Sequence, residues 1–207
     1  MNTRAVLPVF YFPPIGWFKH FLNDSTRVSL EQMENFPKQT FRNRTHIYGA
    51  NGKLPLFIPI RHDGQRLYRD VQISYAENWQ ALHWKSIKTA YQGSAYFEYY
   101  EDALEPIFQD QESSLLKHNL KALNLVLDLL KTPKEFELTT AYEKEFLGDD
   151  LRSAFSAKQP SQYAQKPYYQ TFSDKYGYLN DLSVLDLLCN LGPESALYIR
   201  TSNENLK

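Results

Sequence analysis

The chain has 207 residues and a formal net charge of −1, from 23 basic and 24 acidic side chains. That balance supplies no global field to draw it to nucleic acid or an acidic membrane. Hydrophobic residues are 43% and charged residues 23%, enough apolar material for a sizeable core and too much for wholesale disorder.

In chain order, residues 5–10 of the apolar run Val6–Phe12 predict a central strand. Pro13 and Pro14 stop it, because neither can donate to a ladder. Ile15–Leu22 has helical spacing, with Pro14 suited to the first turn and Asn23-Asp24-Ser25 ending it. Thr26–Leu30 is a second strand, and Glu31–Gln39 a polar loop. A meander follows: strand Phe41–Tyr48, an Asn51-Gly52 turn, strand Leu54–Ile60, an Asp63-Gly64 turn and strand Leu67–Ser74. Pro55 and Pro59 give the middle strand an edge position.

The middle of the chain is helical. Ser74 and Glu77 have capping-box spacing for a helix running to about Tyr91 and Gly93. Phe97–Phe108 is a second helix, kinked at Pro106. Ser113 caps a third, whose Leu116, Leu120, Leu123, Leu127 and Leu130 repeat at threes and fours. Phe136–Thr140 is a short strand. Residues 142–180 are polar and punctuated by Gly148, Pro160, Pro167 and Gly177, an irregular stretch of a length usually functional or mobile. Asn180 or Asp181 caps a last helix, closed by Gly192 and Pro193. A single domain over 1–207 accommodates these elements.

One cysteine, Cys189, excludes an internal disulfide and a Cys-rich zinc site; its leucine neighbours make it a buried apolar residue. No apolar run approaches the roughly 18 residues of a membrane span, and no signal peptide is evident, so the cytoplasm is expected. The aromatic share is 15%, with 15 Tyr and 13 Phe, residues that pack cores first and line sugar- and base-binding clefts second.

Candidate chemistry is sparse. Neither a Walker A loop nor GxGxxG is present. The Pro13-Pro14-Ile15-Gly16 turn can offer helix-end amides to an anion. His20, His46, His62, His83 and His118 show no metal-ligand spacing, and Asp149-Asp150 only loosely echoes the metal-binding acid pairs of some sugar transferases. In a strand, Arg42 and Arg44 share a face and suit bidentate grip of a phosphate or carboxylate, with Asn43 opposite. His83 lies on the helical stripe of Trp79 and Ile87, half-buried beside the core, where a hydrogen-bonded core histidine is the commoner reading and a general base needs a substrate within hydrogen-bond reach; Lys88 and Tyr91 lie on the neighbouring stripe.

These pieces together resemble the WbqC-like family. Its opening strand is matched by Leu7 to Phe18, and its Arg-Asn-Arg strand by Arg42-Asn43-Arg44. Its Asn-Trp…His…Ile…Tyr helix is matched by Asn78, Trp79, His83, Ile87 and Tyr91. Its C-terminal motif is matched by Leu182–Leu188 and Gly192-Pro193-Glu194. Leu7 stands where the family has Gln, and its acid pair after the second strand is reduced to Glu31. The resemblance implies work on a cell-surface polysaccharide precursor, with a glycine- or aminoacyl-transfer role for some members.

The expected fold is α/β: a small mixed sheet with an N-terminal strand and antiparallel meander, packed by central helices. The expected function is a transferase acting on a sugar or sugar phosphate. His83 would be catalytic base; Tyr11, Arg42, Asn43, Arg44, Lys88 and Tyr91 would bind substrate; no metal site, nucleic acid or membrane span is expected. A non-catalytic saccharide- or nucleotide-sugar-binding protein is the alternative, and a metal-dependent transferase using Asp149-Asp150 a third reading. The sequence specifies no cofactor.

Overall fold

In the computed structural model, residues 3–201 are described; residues 1–2 and 202–207, the ends of the expected domain span, lie outside them. The α/β class holds, but the strands divide between two sheets. Four parallel strands form one sheet in the order β5-β2-β1-β6: β1 (Thr3–Pro8), β2 (Thr26–Glu31), β5 (Glu137–Leu138) and β6 (Asp149–Asp150). β3 (Arg44–Gly49) and β4 (Gly52–Phe57) make a separate antiparallel hairpin. The expected third meander strand is absent: residues 68–70 form a 3-10 turn, with isolated bridges at Ile73 and Gln72.

β1 is central, and Ala5, Val6 and Leu7 are buried on both its faces, as a parallel strand requires. α1 (Ile15–Phe21) follows, and its Trp17 Nε1 donates to the Pro8 carbonyl at 2.9 Å. Phe12 takes a positive φ of 41° at the break between them. Such a conformation costs on the order of 1–3 kcal/mol and needs its surroundings to enforce it. Here the Phe12 carbonyl accepts from Thr45 Oγ1 at 2.8 Å and from Ser183 Oγ at 3.1 Å.

α2 (Trp79–Tyr91) is capped by Asn78, whose side chain accepts from the Ala81 amide, not by Ser74. α3 (Phe97–Leu104) tightens into a 3-10 turn at Pro106. α4 (Leu115–Leu129) is capped by Ser114, one residue past the expected cap. The irregular stretch contains β6 and a single turn, α5 (Ser173–Tyr176). α6 (Val184–Leu191) is capped by Ser183, and α7 (Ser195–Thr201) follows the turn at Gly192-Pro193. No helix among the described residues is long and apolar enough to cross a membrane.

Asp181 is not a cap of α6. It crosses to the start of α1, where its Oδ1 accepts from the Gly16 amide at 2.6 Å. The helix-end amide that the sequence offers to an external anion is therefore filled by the chain's own carboxylate, which suits the positive end of a helix. Gly16 makes the approach possible: a Cβ there would lie 2.9 Å from the Tyr163 ring and 3.0 Å from Asp181. Gly16→Ala is expected to cost about 1–3 kcal/mol by overpacking. Urea unfolding checks this; an unchanged stability would show that the contact relaxes freely.

Candidate functional site

The strand order reverses at β1. From β1 the chain moves outward through β2 and β5, then returns to place β6 on the other side of β1. In parallel α/β sheets, ligands bind outside the carboxyl ends of the strands at such a reversal. The segments leaving β1 and β6 there are held together by rings: Phe10 lies 5.6 Å from Phe41 and 5.9 Å from Phe155.

A crevice of about 240 Å³ opens beside these rings. Phe155 and Tyr163, stacked at 5.1 Å and 19°, form one wall. Ser153, Gln162 and Asp181 are among its polar lining groups. Asp181 is heavily engaged. Besides Gly16, it accepts from Ser161 Oγ and from Gln165 Nε2 at 3.3 Å. Burial raises its pKa, and these hydrogen bonds pull it back.

Next in the chain to Phe41 and Ser153 of the crevice, Arg42 and Arg152 form a buried ionic network. Arg42 donates from Nε and Nη2 to the two Glu34 oxygens at 2.5 and 2.7 Å, and from Nη2 to the Arg152 carbonyl at 3.3 Å. Arg152 in turn grips Asp150, at 2.9 Å through Nε, and reaches Glu31 at 3.2 Å through Nη1. Both guanidiniums are under a tenth exposed. Desolvation raises the Glu34 pKa, with Arg42 opposing the shift. Arg152 and Glu34 are participants that sequence reasoning missed. The signal for Arg152 is its place two residues after Asp150, where the leaving strand turns back on its own acid.

The residues expected to form the site are dispersed. Arg42 precedes β3 instead of lying in it, so it does not share a strand face with Arg44, and Glu34 fills its fork. Arg44 stacks over the Phe57 ring at 4.6 Å, with a buried Nε that has no hydrogen-bond partner among the described residues. Asn43 ties down β4, its Nδ2 donating to the Ile58 carbonyl at 3.0 Å. Lys88 pairs with Glu101 at 2.6 Å on the surface. Tyr91 is fully buried, its hydroxyl accepting from the Tyr48 amide at 3.2 Å. Of the set, only Tyr11 and His83 meet, with Tyr11 Oη 3.0 Å from His83 Nδ1.

That pair belongs to a cluster with Trp79 and His118. His83 is 2% exposed and His118 fully buried. Burial lowers both imidazoles from 6.5 to about 4, so they are neutral near pH 7. His83 and Trp79 touch the floor of a separate apolar groove of about 520 Å³, between β4 and α2. The Asp149-Asp150 pair forms β6, and Asp150 is held by Arg152. Among the described residues no group of three or more His, Cys, Asp and Glu is arranged to hold a metal.

His118 gives a test of this cluster. Neither of its ring nitrogens has a partner among the described residues. A histidine lowered to about 4 in the folded chain contributes fully above 6.5, and that contribution is lost as pH falls toward 4. His118→Phe removes the effect. Relative to the parent, it should gain about 2 kcal/mol between pH 7 and pH 5 in urea titrations. A pH-independent difference would contradict a neutral buried ring.

Comparison with known proteins gives a family but no activity. The uncharacterized protein Rv1507c of Mycobacterium tuberculosis (strain ATCC 25618 / H37Rv) is 23% identical over 229 aligned positions, covering 97% of this chain and 98% of that protein. No solved structure matches. Residues 9–159, which carry the opening turn, the Arg42–Arg44 segment, α2 and the strand leading to Arg152, match the WbqC-like protein family. On that match, the chain belongs to the WbqC-like family.

Proposed function

We propose that this chain is a cytoplasmic transferase that modifies a sugar precursor of cell-surface polysaccharide, binding it in the crevice at the carboxyl ends of β1 and β6. The observation that carries this reading is the crevice's position at the reversal of strand order, beside a wall of Phe155 and Tyr163. An aromatic face takes the C–H face of a sugar ring, while serine and glutamine groups at the edges take its hydroxyls. At about 240 Å³, the space suits one ring better than an extended oligosaccharide. The resemblance to the family supplies the substrate class, and an aminoacyl group is the favoured candidate for transfer.

In this reading Arg42 and Arg152 are bracing groups, since their hydrogen bonds go to Glu34, Glu31 and Asp150. His83 is a weak candidate for the base: it is buried, and a value of about 4 lies well below the optimum for proton transfer near pH 7. A second reading, saccharide binding without turnover, is favoured by Asp181. It is the carboxylate of the crevice, and its oxygens already accept from Gly16, Ser161 and Gln165.

A thermal-shift panel of nucleotide sugars, sugar phosphates and aminoacyl donors tests both. A true ligand at one hundred times its Kd stabilises the chain by about 2.7 kcal/mol, a rise of about 5–10 °C for this size. The hit should weaken in Ser153→Ala and Gln162→Ala. Turnover of the hit supports the transferase; binding without turnover by any donor supports the second reading; a hit insensitive to both variants rejects the crevice.

A further inference from the structure

A second cleft, of about 430 Å³, lies on another side of the connector between β2 and β3. Asn35 and Lys38 of that connector form one wall, whereas Phe41 of the same connector lines the crevice. Arg61, His62, Gln65 and Arg66 form the other wall. No carboxylate lines it; Asp63 is in the same loop but is not a lining residue.

Three cations gather here around one space with no acid lining it. Elsewhere Arg27, Arg42, Arg69, Arg152, Arg200, Lys88 and Lys121 each pair with a carboxylate. Lys38, Arg61 and Arg66 have no ion pair or side-chain hydrogen bond among the described residues. The net charge of −1 makes the concentration local.

The walls are fixed by the backbone. The Phe36 amide donates to the Arg66 carbonyl at 2.7 Å, and Asn35 and Leu67 form a bridge. Across the cleft the Arg61 amide donates to the Gln72 carbonyl at 2.9 Å. Gly64 turns the loop at a φ of 87°. The bases of Arg61 and Arg66 are thus held around one space, while their charged ends are free to close on a ligand.

We propose that this cleft binds the diphosphate group of a small phosphorylated molecule. Two guanidiniums match phosphate oxygens as forks, and the lysine adds a point charge. The Asn35 and Gln65 amides offer neutral donors at the same rim. Three cations suit two linked phosphates better than a single carboxylate. A nucleic-acid site would need a basic face or stripe, and the remainder of this near-neutral chain supplies no such extension. The inference goes beyond the reading of the crevice and stands without it.

Isothermal titration of the full chain with sodium pyrophosphate tests the proposal. Binding should be tighter than for sulfate at matched ionic strength and should weaken as salt rises. Arg61→Gln with Arg66→Gln should lower affinity by about tenfold or more. Both side chains are exposed, so the melting temperature should hold. Gln162→Ala, in the crevice, should leave pyrophosphate binding unchanged. A nucleoside diphosphate that binds as well or better through the same arginines also supports the site.

Pyrophosphate binding no tighter than sulfate, or unchanged in the double variant, overturns the proposal. So does binding of single-stranded DNA or anionic vesicles with none of pyrophosphate. Pyrophosphate binding by a chain that recognises no sugar precursor would remove the crevice reading and leave this one. Recognition of a precursor without pyrophosphate binding would do the reverse.

Discussion

The pairing of Arg42 with Glu34 is the constraint on which the carboxyl edge depends. Both side chains are almost wholly buried, and the guanidinium meets both carboxylate oxygens. Removing either partner would strand a charge out of water, at a cost of about 3–5 kcal/mol. The geometry therefore commits the connector after β2 to one position. The Arg42 backbone carbonyl also accepts from Asn119 Nδ2 at 2.6 Å, which ties the same point to α4. Arg152 extends the brace to β6 through Asp150 and to β2 through Glu31. Two strand ends and two connecting segments are thus fixed where the strand order reverses.

This brace also explains why the sequence motif misleads. Two arginines two residues apart look like a clamp for an anion, and in a regular strand they would share a face. The strand starts at Arg44, so the alternation never includes Arg42. The partner that consumes Arg42 is Glu34, in a loop that reads only as polar. Spacing reports which residues share an element. It does not report which loop carboxylate will be buried beside them.

Other parts of the fold were more legible. The β1-to-α1 transition was readable from Pro13 and Pro14, because proline cannot continue a ladder and suits a first helical turn. α2 and α4 were readable from their periodicity, although Asn78 and Ser114 took the caps from nearby candidates. β6 was not readable: a two-residue strand of Asp149 and Asp150 has no pattern, and its pairing with β1 alone defines it. Asp181 was legible as a capping residue, but the helix it serves is α1, which lies far away in sequence. The crevice therefore could not be seen in advance, since its lining joins Phe41 and Asp181 to the irregular stretch after β6. Tyr11 and His83 were both named from the sequence as site residues, in separate roles, and their side chains meet. Half-burial of His83 was legible from the stripe of Trp79 and Ile87; the depth of that burial, which keeps the ring neutral near pH 7, was not.

On the proposed reading, the molecule separates support from recognition. Charged groups that look functional in the sequence mostly hold the backbone, while the open lining of the crevice consists of modest serines, glutamines and rings. The most direct test of that division is hydrogen–deuterium exchange of the full chain, with and without the nucleotide sugar or aminoacyl donor that stabilises it most. The account predicts ligand-dependent protection across 151–163 and around Gly16, with 79–86 unchanged. Protection centred on 79–86 and the β3–β4 hairpin, with none at 151–163, would contradict it and return the site to the groove beside His83.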